Sequence, residues 1–260
     1  MLTKLSMKDR RVLITAGASG IGLEMARVFL EAKCRVMVCD KNTSALSDAR
    51  KELPDLLTVE ANVAQESEVK TLFGRVRDSL SGLDVLINNA GIAGPTGSVE
   101  TLQKVDWDQT LSVNITSQFL CAREAVPLLK QSAHGVMLNL SSAAGHLGFA
   151  GRTPYSASKW AVVGFSKSLA IELGPFGVRV NAILPGAVEG PRIRAVIASK
   201  AKALGVAEED LALRHEKQAV LGRLVSARDV ANMALFAASD AAANITGQEL
   251  VVDGFTQALI

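Results

Sequence analysis

Tyr155, Lys159 and Ser142 are the residues whose types and spacing could do chemistry. Tyr155 is the only tyrosine in the chain, and Lys159 follows it at position i+4. On a helix these two positions share a face about 6 Å apart, so the ammonium can reach the field around the phenol oxygen. A nearby cation favours the phenolate, which is the form that a general base needs. Ser142 could donate a hydrogen bond to a reacting oxygen, or it could simply cap a strand end.

A turn rich in small residues, TAGASGIG at residues 15–22, lies between an apolar strand pattern and a helix pattern. Such a turn lets main-chain N–H groups and the positive end of the helix approach a pyrophosphate. The next strand pattern ends at Asp40, where a carboxylate can accept hydrogen bonds from an adenosine ribose and repels a 2′-phosphate. The turn carries no basic residue, so we expect NAD(H) in preference to NADP(H), although Lys41 could offset part of the repulsion.

The bulk composition is that of a globular chain with one domain. The 260 residues are 48% hydrophobic and 21% charged, with a net charge of +2, and this length accommodates one large core. The small net charge argues against a nucleic-acid surface, and no segment is apolar enough to predict a membrane span. Three scattered cysteines and three histidines have no metal-ligand spacing, and so few cysteines favour the reducing cytoplasm.

Strand-like and helix-like patterns alternate along the chain. Several strand patterns are continuously apolar, which is typical of parallel strands covered on both faces. The alternation predicts an α/β fold, a doubly wound parallel sheet of about seven strands with helices on both faces, in a single domain spanning residues 1–260. We expect strands at 11–15, 35–39, 56–59, 85–88, 136–140, 179–184 and 249–252, and helices at 21–32, 43–53, 66–81, 107–130, 154–173 and 227–238.

Residues 186–225 interrupt this alternation. They lack a strand pattern and mix basic with acidic residues. A long insertion in a compact domain is often a lid or binding loop, and this one follows the carboxyl end of a strand, where ligands bind in open α/β sheets. We therefore expect a substrate lid here. Its Arg192 could meet an anionic substrate, or the mixed charges could form the solvated face of a lid helix.

Together, these residues resemble the short-chain dehydrogenase/reductase family, in its compact single-domain branch, over nearly the whole chain. The turn resembles the family's Thr-Gly-x-x-x-Gly-x-Gly element, and residues 88–91 resemble its Asn-Asn-Ala-Gly motif. Pro185-Gly186 resembles the turn beside the nicotinamide. The catalytic tetrad implied by the resemblance is Asn114, Ser142, Tyr155 and Lys159. The implied cofactor contacts are Thr15, Gly17, Ser19, Gly20, Ile21, Gly22, Asp40, Lys41, Asn62, Val63, Asn89, Ala90, Gly91, Tyr155, Lys159, Pro185, Gly186 and Val188.

The chain departs from the family pattern at three places. Ala16 stands at the first glycine, where a positive φ would cost about 1 kcal/mol, and we expect Gly17 to take over the permissive conformation. Asn62 stands where the family usually has an aspartate contacting the adenine, and its carbonyl oxygen can still accept a hydrogen bond. After Gly186 the family's threonine is missing, and residues 189–192 read Glu-Gly-Pro-Arg instead.

The chemistry implied by the resemblance is reversible hydride transfer between a nicotinamide and a secondary alcohol or ketone. Tyr155 would be the general base in oxidation and the general acid in reduction, while Lys159 assists it and holds the ribose hydroxyls. Ser142 would orient the reacting oxygen. Asn114 interrupts a helix pattern and would hold a water in a proton relay, unless it is only a buried amide. His146 and Phe149 would line the substrate pocket.

Three other functions stay open at this point. The nearest is an NADPH-dependent carbonyl or 3-oxoacyl-thioester reductase, which has the same reacting groups. A catalytically silent NAD-binding regulator is more remote, because such a protein usually lacks a member of the tetrad. A sugar-nucleotide epimerase or dehydratase generally needs a larger C-terminal domain. The family commonly assembles as tetramers through two long helices, here 107–130 and 154–173, so we expect a homo-oligomer, a tetramer or dimer, with a small-molecule substrate.

Overall fold

One parallel sheet with helices on both faces forms the described part of the chain. The computed structural model describes residues 7–260, without the side chains of residues 203 and 204. The strands are β1 (Arg11–Thr15), β2 (Arg35–Asp40), β3 (Leu57–Glu60), β4 (Val85–Asn88), β5 (Val136–Leu140), β6 (Arg179–Pro185) and β7 (Glu249–Val252). Their order is β3-β2-β1-β4-β5-β6-β7, and every neighbouring pair is parallel. The predicted doubly wound α/β fold is confirmed.

Nine α-helices within residues 7–260 connect and cover these strands. They are α1 (Gly20–Glu31), α2 (Thr43–Glu52), α3 (Glu66–Leu80), α4 (Lys104–Leu111), α5 (Ser117–Leu129), α6 (Thr153–Leu173), α7 (Pro191–Leu204), α8 (Glu208–Lys217) and α9 (Ala227–Ala238). Helices α1, α2 and α9 cover one face of the sheet, and α3, α5 and α6 cover the other.

Successive side chains of each strand belong alternately to the hydrophobic cores on the two faces of the sheet. In β1, Val12 and Ile14 belong to the core under α1 and α9, whereas Leu13 belongs to the core under α3 and α5. All three are fully buried, as are the corresponding residues of β2 and β4. Successive residues of a strand point to opposite faces, so a strand covered on both sides must be apolar throughout. This is why the continuous apolar runs located the strands to within one residue.

One expected helix is wrong in two respects. The pattern predicted a continuous helix over residues 107–130, but α4 begins at Lys104 and a π-helical segment, Ser112–Thr116, separates it from α5. In this segment the Ser117 N–H bonds to the Ser112 carbonyl, five residues back. One extra residue per turn shifts the periodicity, and such π-bulges are frequent at functional sites. The other predicted helices differ by at most one residue at an end.

The segment 186–225 leaves the sheet and returns to it at one point. Val188 and Val225 form a parallel bridge, in which the Glu189 N–H donates to the Val225 carbonyl (2.8 Å) and the Val225 N–H donates to the Ala187 carbonyl (2.9 Å). Between these ends the chain forms α7 and α8. Residues 186–225 therefore form a helical excursion from the sheet, a pair of helices whose two ends are held together by this bridge.

An ion pair holds β1 against β4 at the amino ends of the strands. The Asp84 carboxylate accepts hydrogen bonds from Arg11 Nη2 (2.6 Å), Arg11 Nε (2.9 Å) and the Arg11 main-chain N–H (2.8 Å), and from the Ser132 hydroxyl (2.6 Å). Burial by itself would raise the pKa of Asp84, but these hydrogen bonds outweigh it and hold the pKa at about 2. The carboxylate therefore stabilises the fold whenever it is ionised.

Replacing Asp84 tests this pair through its pH dependence. Because the folded pKa lies below the unfolded value of 3.8, the stabilisation is present above about pH 4 and is lost as the pH falls toward 2. We expect Asp84→Asn to lower the free energy of unfolding by about 2 kcal/mol at pH 7, and by about half as much at pH 3, in urea denaturation. The exposed Asp55→Asn is the control. A loss of unfolding free energy that is equal at both pH values would contradict the stabilising role of the ionised Asp84 carboxylate.

Candidate active site

The turn after β1 is tied to the end of β4 by hydrogen bonds. The buried Thr15 hydroxyl accepts from the main-chain N–H groups of Asn89 (2.9 Å) and Ala90 (3.0 Å). The Asn89 side-chain amide donates to the carbonyls of Thr15 (2.9 Å) and Ala16 (3.0 Å). Strand order reverses between β1 and β4, and open α/β sheets bind ligands in the crevice at such a point. The two motifs identified in the sequence therefore form one structure at this crevice.

The backbone path of the turn differs from the one expected. Ala16 itself adopts a φ of 49°, while Gly17 does not have a positive φ, so the expectation that Gly17 relieves Ala16 is wrong. The left-handed conformation costs alanine about 1 kcal/mol, and the bond from Asn89 to its carbonyl helps to hold it. Gly17 is required for space, because a Cβ there would lie 2.5 Å from Val38 Cγ1.

The start of α1 is open to an anion. Ser19 is the N-cap residue, but its side chain makes no capping hydrogen bond, and the first turn of α1 contains no acidic residue. Gly20 has a φ of 53° with free space around it, and a Cβ on Gly22 would collide with the Ala16 carbonyl and the Asn89 amide. The unpaired N–H groups and the positive end of the helix dipole therefore fit the diphosphate of a dinucleotide. Ile21 is half-buried and packs against the core.

Asp40 lies beside this turn at the carboxyl end of β2. Its carboxylate accepts hydrogen bonds from the N–H groups of Ala18 (3.4 Å) and Asn42 (3.1 Å), while the neighbouring Lys41 is exposed. These bonds hold the carboxylate at the edge of the crevice, one strand away from the glycine turn. The arrangement fits the ribose hydroxyls of the adenosine half of a dinucleotide.

At the end of β3, Asn62 and Val63 continue the same edge. The Asn62 side-chain oxygen, which we expected to face the adenine, already accepts a hydrogen bond from the Ala64 N–H (3.1 Å). The amide nitrogen is therefore the group of Asn62 best able to contact a base, as a donor. Val63 is buried against the core.

Tyr155 and Lys159 lie together on α6, as their spacing predicts. Lys159 Nζ is 5.7 Å from the centroid of the Tyr155 ring. Lys159 is only 4% exposed, and its Nζ donates to the Leu140 carbonyl at the end of β5 (2.8 Å). A Cβ on Gly91 would lie 3.5 Å from Nζ, so the absence of a side chain there leaves room beside the amine. The pair thus faces the same crevice as the Asn-Asn-Ala-Gly motif.

Asn114 is fully buried in the π-helical segment and links β4 to α6. Its Oδ1 accepts from the Ile92 N–H (2.8 Å), and its Nδ2 donates to the Ile92 carbonyl (3.1 Å) and the Ser158 hydroxyl (3.0 Å). The Ser158 hydroxyl donates in turn to the Tyr155 carbonyl (2.7 Å). The Asn114 amide is therefore occupied by protein groups that hold the crevice wall and α6 together. Ser158 carries no signal in the sequence other than its place beside Lys159.

Ser142 begins a short 3₁₀ turn, Ala143–Gly145, immediately after β5. Its hydroxyl accepts a hydrogen bond from the Ala144 N–H (3.2 Å), so it caps the turn and can still donate its own proton. The turn packs against α6: the Ser141 hydroxyl donates to the Lys159 carbonyl (2.8 Å), and a Cβ on Gly145 would lie 2.8 Å from that carbonyl oxygen. These contacts fix Ser142 relative to the helix that carries Tyr155.

The end of β6 closes the other side of the crevice. Pro185 is the last residue of the strand, and the Gly186 N–H donates to the Val252 carbonyl (3.0 Å). Val188 lies in the bridge to Val225. In the first turn of α7, exposed Arg192 reaches across the crevice, where its Nη2 donates to the Gly91 carbonyl (2.8 Å). Arg192 therefore lies beside Lys159 and Gly91.

His146 and Phe149, the other expected substrate contacts, follow the 3₁₀ turn. His146 Nε2 is buried without a hydrogen-bond partner in the described residues. Phe149 lies beside two cations: the Arg152 guanidinium carbon is 5.4 Å from its ring centroid, and Lys200 Nζ is 4.9 Å from it. The same Arg152 carbon is 5.3 Å from the Tyr155 ring centroid. Sequence reasoning missed Arg152, although its place three residues before Tyr155 was a usable signal.

The electrostatics of Lys159 follow from its surroundings. Burial, and to a smaller extent the positive charge of Arg192, lowers the pKa of Lys159 to about 7. Removing an ammonium from water disfavours its charged form, and a second cation nearby acts in the same direction. The amine can therefore change its charge near neutral pH in the protein without ligands.

Removing the charge of Arg192 tests this coupling. We expect Arg192→Gln to raise the pKa of Lys159, because the repulsion between the two cations is lost. The measurement is an NMR titration of lysine labelled with ¹³C at Cε, in which the Lys159 signal is assigned by its loss in Lys159→Met. Arg194→Gln removes the same charge from an exposed position of the same helix and serves as the control. Equal shifts in the two variants, or none, would contradict the coupling.

Two further features of residues 7–260 bear on the kind of site this is. No group of three or more His, Cys, Asp or Glu side chains in this range is arranged to hold a metal ion. None of the helices described in it combines the length and the apolar character needed to cross a membrane.

Comparison with known proteins agrees with this geometry. A family model described as enoyl-(acyl carrier protein) reductase matches residues 15–255. The chain is 32% identical to the (2S)-[(R)-hydroxy(phenyl)methyl]succinyl-CoA dehydrogenase subunit BbsD of Thauera aromatica, over 96% of this chain and 97% of that protein. It is 29% identical to the 3-oxoacyl-[acyl-carrier-protein] reductase FabG of Aquifex aeolicus, over 96% and 98%. The crystal structure of levodione reductase superposes with a TM-score of 0.90 at 26% identity, over 95% and 97% of the two chains.

The family model runs from the end of β1 through β7, and relatives covered over nearly their whole length are named dehydrogenases and reductases. The chain therefore belongs to the short-chain dehydrogenase/reductase family, whose members are oxidoreductases that act on alcohols or ketones with a nicotinamide cofactor.

Proposed function

We propose that the protein is an NAD(H)-dependent oxidoreductase that interconverts a secondary alcohol and a ketone through Tyr155, Lys159, Ser142 and Asn114. The observation that carries the proposal is the buried amine of Lys159, 5.7 Å from the Tyr155 ring centroid and bonded to the Leu140 carbonyl. A cation buried next to the chain's single tyrosine has no evident structural benefit, because burial itself disfavours it. It does serve a phenol that must lose and regain a proton.

In alcohol oxidation the carbinol carbon gives up a hydride and the alcohol oxygen gives up a proton. The nicotinamide, when bound, supplies the acceptor for the hydride and its two electrons. Tyr155 takes the proton at its phenolate oxygen, and in the reverse direction it returns the proton to the ketone oxygen. The Ser142 hydroxyl, whose oxygen already accepts the Ala144 N–H, can donate to the substrate oxygen. That bond orients the oxygen and stabilises the charge that develops on it.

Lys159 and Asn114 support the tyrosine rather than touching the carbinol carbon. Lys159 stabilises the phenolate by its charge and is available to hold ribose hydroxyls, since Gly91 leaves space beside its Nζ. Asn114 uses its amide to fix Ile92 and Ser158. A proton relay through a water at Asn114 would therefore use the main chain of the π-helical segment, whose wide turn departs from the regular helical bonding.

Asp40 supports NAD(H) over NADP(H). Its carboxylate is held beside the glycine turn by the N–H groups of Ala18 and Asn42. A carboxylate at this point pairs with ribose hydroxyls and repels a 2′-phosphate. The turn contributes no basic residue, and Lys41 is exposed to solvent, where its field is screened.

We also propose that residues 186–225 act as a substrate lid. The Val188–Val225 bridge ties the two ends of this excursion together, so α7 and α8 can move as a unit. The contact from Arg192 to the Gly91 carbonyl spans the crevice. Entry of a ligand requires this contact to break or rearrange.

The second candidate is an NADPH-dependent 3-oxoacyl-thioester reductase, which the similarity to FabG favours. It uses the same tetrad and differs in cofactor and substrate. The carboxylate of Asp40 argues against this candidate, because it repels a 2′-phosphate. A silent NAD-binding regulator would need no buried Lys159, and turnover of any secondary alcohol excludes it.

Assembly and compartment belong to the same proposal. The long helices α5 and α6 expose apolar side chains, among them Phe119 (46% exposed) and Ile171 (79% exposed). Such side chains on two neighbouring helices support a homo-oligomer, a tetramer or dimer. Three free and buried cysteines support a reducing compartment, the cytoplasm.

The role of Tyr155 is tested by Tyr155→Phe. We expect turnover of secondary alcohols with NAD⁺ to fall by about 10²- to 10⁴-fold, the usual contribution of a general base, while the Kd for NADH measured by fluorescence changes little. Trp160→Phe alters an exposed aromatic of the same helix and controls for packing. Near-normal turnover in Tyr155→Phe would refute the proposed mechanism.

The preference for NAD⁺ over NADP⁺ is tested by two substitutions that should change it in opposite directions. Asp40→Ala should lower the ratio of kcat/KM for NAD⁺ over NADP⁺ by about 10- to 100-fold, because the repulsion of the 2′-phosphate and a charge-assisted hydrogen bond are lost together. Lys41→Ala should raise that ratio, since it removes the positive charge next to Asp40 that favours the phosphate. If the ratio is unchanged in Asp40→Ala, other residues decide the cofactor.

A further inference from the structure

Arg152 is a buried cation without an acidic partner among the described residues. It is 2% exposed, and its Nη2 donates to the Ala93 carbonyl (2.6 Å). Its Nε is buried without a hydrogen-bond partner in residues 7–260. No acidic side chain among the described residues forms an ion pair with it. A guanidinium has five N–H donors, and burying its charge with one neutral acceptor is costly.

A second cation from the lid converges on the same place. Lys200, on α7, has its Nζ 4.9 Å from the centroid of the Phe149 ring, and the Arg152 guanidinium carbon is 5.4 Å from that centroid. Lys200 also forms no ion pair with an acidic side chain in the part of the chain that the structure describes. Two cations that flank one ring repel each other, and the ring offsets only part of this cost. The place is therefore electropositive.

The groups around these cations add no negative charge. His215, on α8, is 3% exposed, and neither ring nitrogen has a partner within residues 7–260. Burial and, to a smaller extent, the positive charge of Lys200 lower the pKa of His215 to about 4. Burial and the charge of Arg152 likewise lower the pKa of Lys200. Apart from Tyr155, whose phenolate opposes the lowering of the pKa of Arg152 by burial, these neighbours supply no negative charge.

The position of the cluster relative to Tyr155 identifies the missing anion. The Arg152 guanidinium carbon is 5.3 Å from the centroid of the Tyr155 ring. An anion bound to Arg152 and Lys200 therefore lies a short carbon chain away from the oxygen that reacts at Tyr155. The dinucleotide diphosphate belongs to the start of α1, at the glycine turn, and does not reach this place without leaving its own site.

We propose that Arg152 and Lys200 bind a carboxylate of the substrate, with Phe149 against its carbon skeleton, so that the physiological alcohol is a small hydroxy acid and the ketone an oxo acid. This assignment rests on the proposed reaction at Tyr155. A carboxylate suits the planar guanidinium fork and accepts two hydrogen bonds at once. The deep burial of Arg152 favours a small free acid, which the lid can enclose, over the long phosphate-bearing chain of a thioester carrier.

The sequence suggested Arg192 as the contact for an anionic substrate. In this proposal Arg152 and Lys200 take that role instead. Arg192 donates to the Gly91 carbonyl and lies beside Lys159, at the cofactor side of Tyr155. Arg152 and Lys200 lie on the Phe149 side. Charge alone does not distinguish these arginines in the sequence, whereas burial without a partner does.

The first test compares acids with their uncharged esters. The probes are 3-hydroxybutanoate and 4-hydroxycyclohexanecarboxylate, each beside its methyl ester, with NAD⁺. We expect kcat/KM for the acid to exceed that for the ester by at least about 10-fold, and Lys200→Gln to lower this ratio by about 10- to 100-fold through KM. Lys202→Gln removes the same charge from an exposed position of α7 and should leave the ratio unchanged. Equal use of acid and ester, unaffected by Lys200→Gln, would overturn the proposal.

The second test does not depend on turnover. Titration calorimetry measures binding of cyclohexanecarboxylate and of the neutral cyclohexanecarboxamide to the Tyr155→Phe protein with NADH. We expect the carboxylate to bind at least about 10-fold more tightly, and this preference to be lost in the Tyr155→Phe, Lys200→Gln double variant. Turnover of neutral alcohols without a carboxylate preference would refute the acid site and leave the proposed reaction standing. A carboxylate preference without turnover of any alcohol would refute the reaction instead.

Discussion

The buried amine of Lys159 is the constraint on which the candidate site depends. With 4% of its surface exposed, it has lost most of the water that would solvate an ammonium, and the Leu140 carbonyl is the acceptor that replaces that water. Its surroundings are accordingly restricted. Gly145 lacks a side chain where a Cβ would lie 2.8 Å from the Lys159 carbonyl oxygen, and Gly91 leaves room beside the amine. A cation can be retained here only while the end of β5, the 3₁₀ turn and α6 keep their relative positions.

The parallel sheet provides those positions, because all its strands end at one edge. Thr15, Asn88, Leu140 and Pro185 are the last residues of β1, β4, β5 and β6, so groups far apart in sequence meet in one crevice. Thr15 locks the first two of these ends together. At the opposite edge the Arg11–Asp84 pair clamps the same two strands. Both ends of the β1–β4 pair are thus held by polar contacts, while apolar packing on two faces holds the middle.

Much of this arrangement could be predicted from the sequence, since it depends on local patterns. Apolar runs located the strands, and the i+4 spacing of Tyr155 and Lys159 predicted their shared helix face. The π-helical turn could not be predicted, because one extra residue shifts the phase of the apolar pattern but leaves its spacing unchanged on either side. The conformation of Ala16 was also missed. Sequence preference favours a glycine at a positive φ, but at Gly17 the close approach of Val38 decides the residue type.

The helical excursion of residues 186–225 marks the limit of sequence reasoning most clearly. Lys200 and His215 have ordinary residue types, and nothing in their spacing distinguishes them from solvated charges, whereas Arg152 at least lies three residues before Tyr155. Their character arises only when α7 and α8 fold over Phe149 and remove water from them. The sheet edge and α6 carry the proposed reacting groups, while the helical excursion adds Lys200 and His215 beside Arg152. Substitutions in the excursion can therefore change the anion that is recognised without moving Lys159, whose anchors lie in β5 and α6. This separation explains how one scaffold can keep a single proton-transfer geometry while its substrates differ.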